Sequence, residues 1–168
     1  AALQLARAGR DVVVLEADTV GYGASSRNGG QVGSGNQRFT VAKLIELYGK
    51  DQAQALLQEG ISALSYIKAM IGAEDIQCYY REAGRFRGAS RPKHYDNLAR
   101  DMGDLHTFAG VESYMVPQAE LDSEIGTSLY YGGAVLPRDA SLHPALDHSG
   151  LLDRAESAGV RVFSHARV

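Results

Sequence analysis

The run Asp11–Gln31, DVVVLEADTVGYGASSRNGGQ, constrains the fold of this chain more than any other stretch. Its three valines and a leucine predict a short strand of the kind buried on both faces. Glu16 closes that strand, and Gly21, Gly23, Ala24, Ser25, Ser26, Asn28, Gly29 and Gly30 follow in quick succession. Upstream, residues 1–8 carry alanine and leucine at helical spacing, with Gly9 as a C-terminal stop. Helix, glycine, apolar strand and strand-end carboxylate together read as the second half of a strand–helix–strand unit. In such a unit the acidic side chain accepts hydrogen bonds from adenosine ribose hydroxyls. Small residues after it let the backbone approach a pyrophosphate or a flat ring, and glycine supplies positive φ where needed. A carboxylate at this position also disfavours a 2′-phosphate. Glu16 and the loop after it are therefore expected to hold a flavin dinucleotide.

The competing reading makes Glu16 a solvated carboxylate and Gly21–Gln31 a plain surface loop. A plain loop has no need of Arg27, Asn28 and Gln31 set among glycines and serines. Backbone N–H groups with Ser and Asn side chains suit anionic oxygens, and Gln31 both donates and accepts, which suits a ring edge of mixed polarity. The phosphate-binding G-x-G-x-x-G turn of such a unit would lie before Ala1. The first residues read as mid-helix and the last as mid-strand, so the chain is expected to be an internal piece of a longer protein.

From Thr40 the pattern is helical. Val41, Leu44, Ile45 and Tyr48 share a face, with Thr40 as N-cap. Gly49 breaks this helix and Asp51 is expected to cap a second one, faced by Leu56, Leu57, Ile61, Leu64 and Ile67 and ended by Gly72. These helices read as packing elements. Next, Ile76–Arg81 and Arg85–Ala89 flank Glu82-Ala83-Gly84, which predicts a hairpin. A helix over 92–110, a strand over Val111–Val116, a helical turn after Pro117 and a strand or strand pair over Leu129–Leu136 follow. Pro144 opens a last helix closed by Gly159, and Val160–Val168 is expected to rejoin the first sheet. The fold class is thus α/β: a partial Rossmann-like FAD-binding domain with an inserted antiparallel-sheet (α+β) substrate lobe. The expected division is 1–72 for the first part of the FAD-binding lobe, 73–140 for part of the substrate lobe and 141–168 for the return.

Composition narrows the function. A net charge of −3 with interspersed signs offers no basic patch for nucleic acid. No apolar run approaches the roughly 20 residues of a membrane span. The single cysteine, Cys78, rules out an internal disulfide and a multi-cysteine metal site, and fits a reducing, cytoplasmic setting. In an apolar stretch it reads as a buried small hydrophobe. His94 and His106 lie twelve residues apart on one helix, about 18 Å along its axis, too far to share a metal. His143 and His148 read as turn and helix-face residues. Ser25, Ser26 and Ser34 lack a nucleophile elbow, so a hydrolase is not indicated.

At this point LEADTVGYGASSRNGGQV resembles the FAD-dependent amine and amino-acid oxidases of the D-amino-acid oxidase superfamily. The G-A-S-x-R-N-G-G-Q run is similar to that of the γ-glutamylputrescine oxidase-like branch. SLHPALDHSGLLDRAESAGVRVFSHARV is similar to the family's return segment. The resemblance implies that Glu16 holds the adenosine ribose, that Ala24, Ser25 and Ser26 line the pyrophosphate, and that Asn28, Gly29, Gly30 and Gln31 approach the isoalloxazine. Val168 would begin the segment whose backbone touches the adenine. With Ala17 and Arg27, these make up the candidate cofactor-binding set. The implied chemistry is hydride transfer to FAD from a C–H beside the nitrogen of a small amine or amino acid. No metal is expected, and the catalytic side chains and oligomeric state are not assigned. Two other readings stay open: a dehydrogenase passing electrons to a carrier, and a flavin-binding or interaction domain without turnover.

Overall fold

The computed structural model describes residues 1–34 and 38–168. In chain order the elements are α1 (Ala2–Arg7), β1 (Val13–Leu15), β2 (Gln31–Val32), α2 (Val41–Tyr48), α3 (Lys50–Ala73), β3 (Arg85–Gly88) and α4 (Pro92–Ala109). Then come β4 (Tyr114–Val116), a 3-10 turn over Gln118–Glu120, α5 (Leu121–Ile125), β5 (Gly133–Leu136), β6 (Ala140–Ser141), α6 (Pro144–Ser157) and β7 (Arg161–Phe163). They divide into two compact units, one of residues 1–31, 67–81 and 141–168, the other of residues 32–66 and 82–140. Among the described residues no helix is long and apolar enough to cross a membrane.

In the first unit β1 pairs in parallel with β7, Val13 opposite Arg161 and Leu15 opposite Phe163. The C-terminal strand thus rejoins the first one, as the sequence predicts. Val12 and Val14 pack with Leu3 of α1, Ala155 of α6 and Val160. Val13 and Leu15 are 45% and 51% exposed. Burial on both faces of this strand is therefore not what the structure has. Successive side chains point to opposite faces, and α1 and α6 cover one of them. A second cluster, Ile71, Ile76 and Cys78 with Leu142 and Leu151, closes the end of α3. Arg7 clamps Glu74 there through two guanidinium nitrogens, at 2.5 and 2.8 Å.

The hairpin expected over 76–89 does not form. Asp75 and Tyr79 sit at φ 51° and 54°, in the left-handed region that interrupts extended chain. Ile76 and Cys78 alternate with exposed neighbours, but what they face is the cluster just described, and Arg81 makes only one bridge, to Ser141. β3 pairs instead with β5, in the second unit.

That unit holds an antiparallel sheet ordered β3-β5-β4. Arg85 lies opposite Leu136, Arg87 opposite Ala134, and Val116 opposite Gly133. On one face Ala134 and Leu136 meet Val41, Leu44, Leu57, Leu98 and Met102 from α2, α3 and α4. On the other, Val116, Leu121 and Val135 meet Phe86 and Tyr130. Thr40 caps α2 as expected, its hydroxyl accepting from the Lys43 N–H at 3.2 Å. Gly49 makes the break at φ 79°. α3 starts at Lys50, so Asp51 lies in the first turn and does not cap it, and Gly72 lies within the last turn of a helix that runs to Ala73.

The interior of this unit contains a charged pair. Asp139 is 1% exposed; its Oδ2 lies 2.9 Å from Arg85 Nη2, and its Oδ1 accepts from the Ser34 N–H at 3.3 Å. Removing one partner of a buried pair leaves the other charge without compensation, which costs about 3–5 kcal/mol. Asp139→Ala is expected to lose stability on that scale in urea denaturation of the full-length protein. The double variant Arg85→Met/Asp139→Leu is expected to recover most of it.

Candidate functional site

β1 is prolonged past its last residue by the backbone. The Glu16 N–H donates to Phe163 O at 2.9 Å, and Glu16 O accepts from the Ala166 N–H at 2.8 Å. This fixes the half-buried Glu16 where the strand ends. Its Oε1 accepts from the Asp18 N–H at 2.8 Å, which starts the turn. Its other carboxylate oxygen takes no partner among the described residues. Asp18 tightens the turn: its Oδ1 accepts from the Thr19 N–H at 2.6 Å. That backbone hydrogen bond holds the Asp18 carboxyl below the usual range. The segment after β7 frames the same turn, since the His165 N–H donates to Asp18 O at 2.9 Å. The Val20 N–H donates to Ser164 Oγ at 3.3 Å.

The loop from Gly21 to Gly30 is held by its own side chains. Asn28 Nδ2 donates to the carbonyls of Ala24 and Ser25, at 3.0 and 3.2 Å, and its Oδ1 accepts from the Gly30 N–H at 2.7 Å. The Ser26 hydroxyl donates to Gly21 O. The Arg27 guanidinium lies over the Tyr22 ring, 4.0 Å from its centroid. Asn28, Ser26 and Arg27 therefore shape the loop, and the donors left for a ligand are backbone ones. The N–H groups of Gly23, Ala24, Ser25, Ser26, Asn28 and Gly29 donate to no described acceptor. A Cβ added at Gly23 or Gly29 would meet nothing within 4 Å. A run of unengaged N–H groups beside open space fits anionic oxygens. The open Glu16 oxygen one turn away fits ribose hydroxyls. The residues present thus fit the adenosine and pyrophosphate parts of a dinucleotide.

Gly30 differs from Gly29. Its φ is 64°, and a Cβ there would fall on Leu142 O, while the Leu142 N–H donates to Gly30 O at 2.9 Å. Gln31 begins β2 with its side chain exposed, and Ala17 and Val168 are exposed as well. Two contacts with the loop have no signal in the sequence: Leu142, which meets Gly30, and His148, whose ring lies 3.0 Å from where a Cβ of Gly21 would be. His143 caps α6, its Nδ1 accepting from the Leu146 N–H at 3.3 Å. Burial pushes the Cys78 thiol up, as suits a small apolar side chain. No group of three or more His, Cys, Asp or Glu able to hold a metal occurs among the described residues. In the first turn of α6, Asp147 Oδ1 is buried without a hydrogen-bond partner. A helix N-terminus favours the carboxylate, yet burial wins and pushes this carboxyl up, against the charge of His148.

The family model described as FAD dependent oxidoreductase matches residues 1–168. The probable oxidoreductase OrdL of Haemophilus influenzae is 30% identical over 169 residues, covering 100% of this chain and 39% of that relative. The gamma-glutamylputrescine oxidoreductase of Escherichia coli is 30% identical over 167 residues, 99% of this chain and 39% of its own length. The chain thus spans 39% of the length of these curated relatives. Glycine oxidase from Geobacillus kaustophilus matches 98% of this chain and 42% of its own with a TM-score of 0.74 at 21% identity. L-amino acid deaminase from Proteus vulgaris does so over 98% and 36%, with a TM-score of 0.71 at 20% identity. At those identities the two structures establish a shared fold.

Two outcomes follow from this geometry. Gly30→Ala combines a positive φ with a backbone collision, so it is expected to destabilise the protein by about 2 kcal/mol or more. Gly29→Ala is expected to stay within about 0.5 kcal/mol. Paired thermal melts compare them. Asp147 holds its proton more tightly folded than unfolded, so its ionisation weakens folding as pH rises from the unfolded value through the raised folded one. Asp147→Asn is expected to stabilise the protein at pH 7, with the gain vanishing in acid where both side chains are neutral. Denaturation curves across pH check this.

Proposed function

The chain belongs to the FAD dependent oxidoreductase family, and from that premise we propose that the loop from Glu16 to Gln31 holds the FAD of an amine- or amino-acid-oxidising enzyme. What supports the loop is the run of unengaged backbone N–H groups beside the open oxygen of Glu16. In this reading Glu16 accepts from the ribose hydroxyls, and Ala24, Ser25 and Ser26 donate backbone N–H groups to the pyrophosphate. Asn28 holds the loop in the shape that presents them, and Gly29, Gly30 and Gln31 lie towards the ring. Ala17, Arg27 and Val168 stand beside the adenosine end. The unit of residues 1–31, 67–81 and 141–168 serves as the cofactor lobe and that of residues 32–66 and 82–140 as part of the substrate lobe, so α2 and most of α3 go with the substrate sheet they pack on. The chemistry FAD supplies when bound is acceptance of a hydride from a C–H beside nitrogen, leaving an imine that water hydrolyses. The substrate class is an amine of the γ-glutamylputrescine type, which the 30% identity to the Escherichia coli relative supports.

The visible spectrum of the full-length protein tests this reading. Bleaching of a yellow protein by γ-glutamylputrescine under nitrogen is expected, and recolouring in air would mark an oxidase. Bleaching by amino acids alone would move the substrate class, and a protein that never takes up FAD would end the proposal. Glu16→Arg is expected to weaken FAD binding by about 2–4 kcal/mol, the scale of lost charge-assisted hydrogen bonds with partners left unpaired. Titration of the apoprotein with FAD reads it, and an affinity unchanged within about twofold (~0.4 kcal/mol) would remove Glu16 from the site.

A further inference from the structure

Alternation along β3 puts Arg85 and Arg87 on one face of the sheet and Phe86 on the other. The arginine side is the side of the main apolar core, and among the described strands β3 lies at the edge of its sheet. The two arginines line a cleft of about 130 Å³ within the second unit, together with Arg38, Phe39, Asp101, Leu105 and Leu136. The arginines differ in their partners. Arg85 has Asp139 at 2.9 Å. Arg87 makes no hydrogen bond or salt bridge with any described residue, although it is half-buried. Burial draws its guanidinium below the usual value and the charge of Arg85 adds to this, while the carboxylates of Asp101 and Asp139 work against it. A half-buried cation without a hydrogen-bonded anion, facing an open cleft, has N–H groups to offer one.

The lining also says what kind. Of the two arginines of β3 only Arg87 lacks a bonded partner, and Asp101 and Asp139 already offset part of its charge, which leaves the cleft suited to one further negative charge at most. Phe39, Leu105 and Leu136 supply an apolar wall to the same cleft, Leu136 beside Arg85 as its cross-strand partner. We propose that this cleft binds a small monocarboxylate with an apolar tail, its carboxylate forked on Arg87 and its tail against that wall. Guanidinium and carboxylate match as two parallel N–H···O bonds. The site uses no residue of the Glu16–Gln31 loop and stands whether or not that loop holds FAD.

Acetate, butyrate and hexanoate titrated into the full-length protein by calorimetry test it, with inorganic phosphate as competitor. Affinity is expected to rise with tail length, to fall about tenfold or more in Arg87→Gln, and to recover in part in Arg87→Lys, which restores charge without the fork. Leu105→Asn is expected to flatten the dependence on tail length and leave acetate nearly unchanged. Circular dichroism and FAD absorbance of each variant report the fold and the flavin site separately. Should Arg87→Gln not fold, the Leu105→Asn series decides. Equal affinity in Arg87→Gln, tail-length dependence unmoved by Leu105→Asn, equal competition by phosphate, or no saturable binding of any of the three acids would each overturn the proposal.

Discussion

Gly30 meets Leu142 so closely that its own hydrogen atom is all the side chain the contact admits. The Leu142 N–H reaches Gly30 O at 2.9 Å. One partner ends the loop that follows β1, and the other lies two residues before α6. The hydrogen bond therefore joins segments more than a hundred residues apart and sets where the loop ends. Asn28 then determines its shape, because one amide group binds the Ala24 and Ser25 carbonyls and the Gly30 N–H together. With the side chains turned onto the loop's own carbonyls, the remaining backbone N–H groups are left for a ligand.

Buried charge is handled in three ways in this molecule. Asp139 is paired with Arg85 and bonded to the Ser34 N–H, so its charge is compensated where it is buried. Asp147 has an unpartnered oxygen, and the burial penalty outweighs both the helix terminus and His148. Arg87 makes no ion pair among the described residues, and only the fields of Asp101 and Asp139 offset its charge. A buried pair contributes little net stability but makes its partners hard to replace singly. An uncompensated group is a weakness of the fold that a ligand can relieve. The same physics thus separates the position where charge is paired from those where it lacks a bonded partner.

Family membership follows from the whole chain, while the geometry shows how its residues serve that membership. The acidic strand end and the glycine–serine loop are adjacent in sequence, and both halves of the candidate site were legible there. What they contribute differs from the reading of side chains alone. Ser26 and Asn28 look like ligand-facing polar groups in the sequence, yet each has carbonyl acceptors inside the loop. The five histidines carry no visible role, and one of them proves to back the loop at Gly21.

The sequence by itself determined the local elements whose causes are local. Thr40 starts a helix because its hydroxyl reaches the Lys43 N–H. Pro92 and Gly110 bound α4, and the apolar run after Asp11 makes a strand. Tertiary structure decided the rest. Ile76–Arg81 alternates as a strand does, but the left-handed Asp75 and Tyr79 turn its apolar residues into a helix-end cluster, and no ladder forms. β3 takes β5 as partner across more than forty residues, a choice that no local pattern encodes. Val13 and Leu15 read as interior, yet α1 and α6 cover only the opposite face of their strand. Periodicity tells which residues share a face; what covers that face depends on elements far along the chain, and only the folded structure brings them together.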